Sequence, residues 1–132
     1  MVDRRVVQEW LDKADEDFGF ANSVLDDTKY YAQLCFHYHQ AAEKYLKAFI
    51  VAKELDFVKR HDLVFLLDIC RQADPSFDTL LVDCKFLNRF YIDTRYPVHW
   101  SEGFTRNDAL KAREAVERVK SSIQERLSDT ET

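Results

Sequence analysis

The chain has 132 residues and a mass of 15.7 kDa, with 46% hydrophobic and 33% charged residues. That is enough for one domain with a buried core and too little for two. It holds only 2 glycines and 2 prolines, where average usage predicts roughly 9 glycines. So few turn residues exclude a loop-rich β-sandwich or barrel, and no glycine-rich phosphate loop is present. The formal net charge of −5 and a pI of about 5.3 argue against a generic duplex DNA binder, while leaving room for a local basic cleft.

The apolar spacing is helical throughout. Val7, Leu11, Ala14, Phe18, Ala21 and Leu25 recur at steps of three and four, which predicts a helix from about Asp3 to Leu25. Asp26-Asp27-Thr28 is a polar break. Leu34, Tyr38, Ala41, Tyr45, Ala48, Ala52 and Leu55 form the second stripe and predict a long helix from about Tyr30 to Leu55. A basic link, Val58-Lys59-Arg60, leads through His61-Asp62 into a compact apolar segment, Leu63 to Cys70, read as a shorter helix. Asp74-Pro75 is a start signal, because aspartate caps free amides and proline at the first helical position gives up no needed donor. The fourth stripe, Phe77, Leu80, Cys84, Leu87 and Tyr91, predicts one helix that ends before Pro97. Arg95 to Phe104 reads as a loop. Thr105-Arg106-Asn107-Asp108 has the form of a capping box with Asp in the Glu position. Ala109, Ala112, Val116, Val119 and Ile123 then mark the last helix, and Ser128 to Thr132 a frayed tail.

The expected fold is therefore all-α: an antiparallel up-and-down four-helix bundle with an additional short helix. It forms one domain over residues 1–132 with its core at about 3–127. Phe36 and Phe49 lie off the second stripe and need cover from either a further helix or a dimer partner. Cys35, Cys70 and Cys84 are odd in number and form no C-x-x-C pair. They read as small apolar residues of a reducing cytoplasm, with no metal site and no disulfide frame. No apolar run follows Met1 to Arg5, and the charge-free stretch Tyr30 to Ala42 is too short and too polar to span a bilayer. The expected location is cytoplasmic.

Three places carry candidate chemistry. His37, Gln40, Lys44 and Lys47 share one face of the second helix. They are either an anion-facing surface for phosphate or an ordinary solvated face. His37 and His39, two residues apart, point roughly 200° away from each other on a helix, so they cannot chelate one ion. Arg60-His61-Asp62 opens the short helix; Asp62 suits a capping role, and His61 or Arg60 is a candidate to face the same cleft as the second-helix stripe. The densest region is Asn88 to Trp100, with Arg89, Arg95, His99 and four aromatics. Arginine binds phosphate through a planar fork, and aromatic rings stack on bases. The competing reading puts Tyr91 and Trp100 in the core and Arg89 in an ion pair.

The order of these motifs resembles a prokaryotic HEPN domain. The segment Cys35-Phe36-His37-Tyr38-His39-Gln40-Ala41-Ala42-Glu43-Lys44-Tyr45-Leu46-Lys47-Ala48 is similar to that family's Q-A-x-E-K-x-L-K-A motif. His61-Asp62-Leu63 is similar to its H-[DS]-L segment, and Tyr91-Ile92-Asp93-Thr94-Arg95-Tyr96-Pro97 to its Y-x-x-x-R-Y-P. Phe104-Thr105-x-x-Asp108-Ala109 fits its last-helix start. The resemblance implies an all-α bundle that often dimerises and a minimal nucleotidyltransferase as partner, in a toxin–antitoxin-like pair. It also implies a module that binds nucleotide or RNA phosphate without a cofactor, through His37, Lys44, Lys47, His61, Arg89, Arg95 and Tyr96. Several members resemble metal-independent ribonucleases with an R-x(4–6)-H motif. Here three residues separate Arg95 from His99, so that motif is not present as written. The binding module is the leading expectation. A ribonuclease using Arg95 and His99 at a dimer cleft is one alternative, and a purely structural interaction bundle is the other.

Overall fold

The computed structural model describes residues 2–91 and 104–129, and among these every regular element is a helix. The elements are α1 (Arg4–Val24), α2 (Tyr31–Ala52), α3 (Leu63–Ala73), a 3-10 turn (Pro75–Leu80), α4 (Leu81–Asn88) and α5 (Arg106–Asp129). The expected antiparallel bundle is what forms. Tyr38 donates to Asn22 at 2.7 Å, and Tyr45 donates to Asp15. Seven residues forward on α2 match seven back on α1, so the two helices run in opposite directions. Arg106, at the start of α5, reaches Asp26 after α1 at 2.8 Å. Arg126, near the other end of α5, reaches Asp74 after α3 at 3.0 Å.

α2 is the axis of the molecule and packs against α1, α3, α4 and α5. Thirteen of its residues are buried, more than one amphipathic stripe supplies. The predicted stripes are the core: Ala14, Phe18 and Ala21 of α1, Tyr38, Ala41, Tyr45 and Ala48 of α2, and Ala109, Ala112, Val116, Val119 and Ile123 of α5 are all buried. The second stripe runs on in phase to Leu55, yet the helix stops at Ala52. Glu54 takes a positive φ of 53°, and Leu55 donates back to the Ile50 carbonyl at 2.9 Å while Glu54 donates to Val51 at 3.1 Å. This is the reversed closing turn whose apolar residue folds back onto the helix end. Leu55 therefore packs on the core without being helical.

The capping signals act as read. Asp62 accepts from the Val64 and Phe65 amides at 3.0 and 3.3 Å, and Asp74 from the Ser76 amide at 3.0 Å; α1 has a further cap, Asp3, that the sequence reading did not single out. Thr105 and Asp108 cap each other reciprocally at 3.0 and 3.2 Å.

The fourth segment differs from expectation. Instead of one helix ending before Pro97, a 3-10 turn comes first and α4 ends at Asn88. The tighter winding aligns Phe77 and Leu80, three residues apart, on one side, and both are buried. Phe77 sits edge-on against Phe49, with ring centres 4.7 Å apart. Phe49 is thus covered by the chain's own 3-10 turn, and no partner is needed there. Phe36 keeps part of its surface exposed. All three cysteines are free and buried. No helix among the described residues is long and apolar enough to cross a membrane.

Candidate functional site

The polar face of α2 does not work as one surface. Lys44 ends on Asp17 of α1 at 2.5 Å, and His37 Nδ1 lies 3.6 Å from the same carboxylate. Burial raises the Asp17 pKa, but the nearby His37 and the hydrogen bond and charge of Lys44 outweigh it and hold the carboxyl below its usual value. Lys47 turns inward and is only 5% exposed. Its ammonium pairs with Glu43 at 3.0 Å and lies near the rings of Trp10 and Phe57. Lys44 and Lys47 are therefore committed to intramolecular partners.

Glu43 was not singled out by the sequence, yet it is the hub of the site. It is 4% exposed, and its second oxygen accepts from His61 Nδ1 at 2.8 Å. The buried carboxylate thus bridges the ammonium of Lys47 and an imidazole that stands at the surface. His61 stacks on Tyr91, with ring centres 5.0 Å apart and planes 15° from parallel. His39 lies beneath, 5.4 Å from the same tyrosine ring. Burial pushes the His39 imidazole down to about 4, against the pull of Glu43, so it is neutral at pH 7. As their spacing required, His37 and His39 diverge: one pairs with α1, the other is enclosed beside Tyr91.

Two caps hold this arrangement. Asn88, the last residue of α4, accepts from the Leu63 amide and donates to Asp62, both at 2.8 Å. The start of α3 and the end of α4 are thereby tied together. Burial raises the Asp62 pKa, but hydrogen bonds from Asn88, Phe65 and Val64 and the nearby charge of Arg60 hold it below its usual value.

Lys59, Arg60, His61, Asp62, Asn88 and Tyr91 line an open pocket of about 500 Å³. Arg60 lies flat over Phe65 at 3.9 Å. Neither Lys59 nor Arg60 has a carboxylate in ion-pair range among the described residues. Arg89 is exposed and stands over the rings of Phe86 and Phe90; the ion pair of the competing reading is not found among the described residues. Arg95, Tyr96 and His99 lie outside the described residues, and so does Trp100. Tyr91 is surface-exposed rather than core.

A second, more apolar pocket of about 790 Å³ opens between the end of α1 and the start of α2, lined by Phe20, Val24, Tyr30, Leu34, Phe36 and His37. Phe20 and Tyr30 are 52% and 61% exposed.

Three of the sequence segments that carried the resemblance contribute described residues to one place: Glu43 and Lys47 from the first, His61 and Asp62 from the second, and Tyr91 from the third. An antiparallel helical bundle with a polar site between its second helix and the ends of two shorter ones defines a class of small α-helical domain. The HEPN domain family model matches residues 7–126, and the chain belongs to that family. Its members are known for nucleotide- and RNA-related functions. Among solved structures, the chain is similar to TT1696 from Thermus thermophilus, at 29% identity and a TM-score of 0.73 over 90% of this chain and 96% of that one. It is also similar to ST0689, an archaeal HEPN homologue, at 26% identity and a TM-score of 0.72 over 91% of this chain and 96% of that one. No curated protein matches the chain.

Proposed function

We propose that this HEPN domain is a binding module for the phosphate of a nucleotide or RNA, and that its ligand face is the pocket between Lys59 and Tyr91. One observation carries the reading. Two cationic side chains without carboxylate partners among the described residues, Lys59 and Arg60, share a pocket with a surface imidazole stacked on a tyrosine. Cations attract phosphate, a guanidinium offers it a directed fork, and an exposed aromatic edge suits a base. Arg89 borders the same region in sequence, and Arg95 and Tyr96 are proposed as further contacts from the resemblance.

The module works as a homodimer with a minimal nucleotidyltransferase as partner, in a toxin–antitoxin-like pair. The apolar pocket around Phe20, Tyr30 and Phe36 supports the association alone, since large exposed apolar side chains gathered in one place favour it, while the partner and the pairing come from the family resemblance. Light scattering of wild type and a Phe20→Ser, Tyr30→Ser double variant checks the oligomer; a monomeric wild type overturns that part.

Binding is tested by titrating a labelled single-stranded RNA tetramer. Arg60→Ala and Lys59→Ala should weaken binding several-fold, and raised salt should weaken it further. Lys44→Ala should leave it unchanged, because that ammonium is held by Asp17. Equal affinities for wild type, Lys59→Ala and Arg60→Ala would refute the assignment.

A further inference from the structure

Half of the pocket between Lys59 and Tyr91 stands on a segment that side chains, not backbone bonds, attach to the bundle. Lys59, Arg60 and His61 line the pocket from the link between α2 and α3, and Asp62, Asn88 and Tyr91 line it from the start of α3 and the end of α4. The link leaves α2 through the positive φ of Glu54, and Leu55 bonds back to the helix end. From Asp56 to His61 no backbone–backbone hydrogen bond forms among the described residues. A segment held in this way opens at a small free-energy cost.

The side-chain attachments lie at both ends of the link. At the pocket end, His61 Nδ1 lies 2.8 Å from Glu43, and Arg60 lies over Phe65 at 3.9 Å. At the other end, Phe57 sits against Trp10 of α1, with ring centres 5.6 Å apart and planes tilted by 47°. Val58, next to it, packs on the core. The two ends also meet inside the protein. The Lys47 ammonium lies 5.9 Å from the Trp10 ring centre and 5.7 Å from that of Phe57, within cation–π range. It pairs with Glu43 at 3.0 Å, and the other oxygen of Glu43 meets His61. Phe57 thus walls off the same buried ion pair that anchors His61. Water admitted there weakens both charge contacts of Glu43 together, because attraction between charges falls as the local dielectric rises.

We propose that residues 56–61 are a strap latched by Phe57 on Trp10, and that this latch sets the anion affinity of the pocket by holding Lys59 and Arg60 in place. Neither ring lines the pocket, so Trp10 and Phe57 are positioning residues. This rests on the pocket being the phosphate site. When the strap lifts, the two cations leave the opposite wall, and the apparent affinity scales with the seated fraction. By reciprocity, an anion in the pocket seats Phe57 more firmly on Trp10.

The test uses pyrophosphate, an anion without sugar or base. Calorimetric titration compares wild type, Phe57→Ala and Phe57→Tyr. Phe57 is 42% exposed, so its truncation leaves the bundle folded, and the unfolding midpoint checks this. Phe57→Ala should bind about fivefold more weakly, the population cost of losing one aromatic pair, and Phe57→Tyr should bind as wild type does. The Trp10 indole N–H resonance, identified by its loss in Trp10→Phe, should shift as pyrophosphate saturates wild type, although Trp10 lies outside the pocket. That readout needs no change to the strap. Wild-type affinity in Phe57→Ala, the same weakening in Phe57→Tyr, or a Trp10 resonance indifferent to saturating pyrophosphate each overturns the latch while leaving phosphate binding in place. Failure of wild type to bind pyrophosphate overturns both.

Discussion

His61 Nδ1 lies 2.8 Å from Glu43 Oε1, although 18 positions separate the two residues in the chain. This bond ties the loop after α2 back to the middle of that helix. It also turns a buried ion pair, Glu43 with Lys47, into the support for a surface imidazole. The charge of Lys47 is thereby felt at the pocket without the lysine being there.

Lys44 and Lys47 differ by three positions but should differ widely in what their removal costs. Lys47→Met leaves the buried Glu43 carboxylate with only His61, and breaking such a pair costs about 3 kcal/mol. Lys44→Met leaves a partly exposed Asp17 that still has His37 beside it, at a cost of about 1 kcal/mol or less. Urea denaturation of both variants measures the contrast; equal losses would mean that Lys47 is not a buried partner of Glu43.

The buried His39 predicts a specific acid sensitivity. Its folded pKa is pushed down to about 4 from 6.5. Between those values the unfolded chain binds a proton that the folded chain does not, so stability falls as pH falls through that window. The full effect by pH 4 is about 3 kcal/mol. The carboxylates of Asp17 and Asp62, held below their usual 3.8, contribute stability that is present above that value and lost only as pH falls below it. Acidification from pH 7 to 5 should therefore destabilise wild type more than His39→Leu. Identical losses in the two proteins would contradict the assignment.

Asn88 should matter for stability as well as for the pocket. Asn88→Ala removes the acceptor of the Leu63 amide and a donor to Asp62, and should cost about 1–2 kcal/mol. Asp62→Ala removes the cap of α3 at a cost of about 1 kcal/mol. Because the two side chains bond each other, the double variant should lose less than the sum. A thermal-denaturation cycle gives the coupling, and strict additivity would show that the bond contributes nothing.

The thiols should be silent in the folded protein. All three are buried, and burial pushes Cys35 and Cys70 up to about 12 and Cys84 higher still. Reaction with an aromatic disulfide reagent should be slow under native conditions and should count three thiols in denaturant. A rapidly reacting thiol in the native state would argue against the packing around it.

The sequence by itself determined the bundle. Stripes at steps of three and four recur wherever a helix buries one face, and Asp62, Asp74 and Thr105 mark helix starts because local side chains satisfy the first free amides. These signals act within one or two turns, so they are readable without knowing what lies across the core. The motifs of α2, His61-Asp62 and Tyr91 were legible as separate pieces for the same reason. The breaks at Ala52 and Asn88 were not, since the apolar stripe stays in phase through a reversed turn at Glu54 and through the 3-10 winding at Phe77.

Only the tertiary structure decided which charges are spent and which are free. Lys44 and Lys47 share a helix face and look equivalent. Asp17 on α1 takes one, while Glu43, Trp10 and Phe57 enclose the other. Lys59 and Arg60, without a carboxylate in ion-pair range among the described residues, sit in a link that sequence reading treated mainly as a connection. A charged side chain is available to a ligand only when no neighbour has already neutralised it, and those neighbours come from distant parts of the chain.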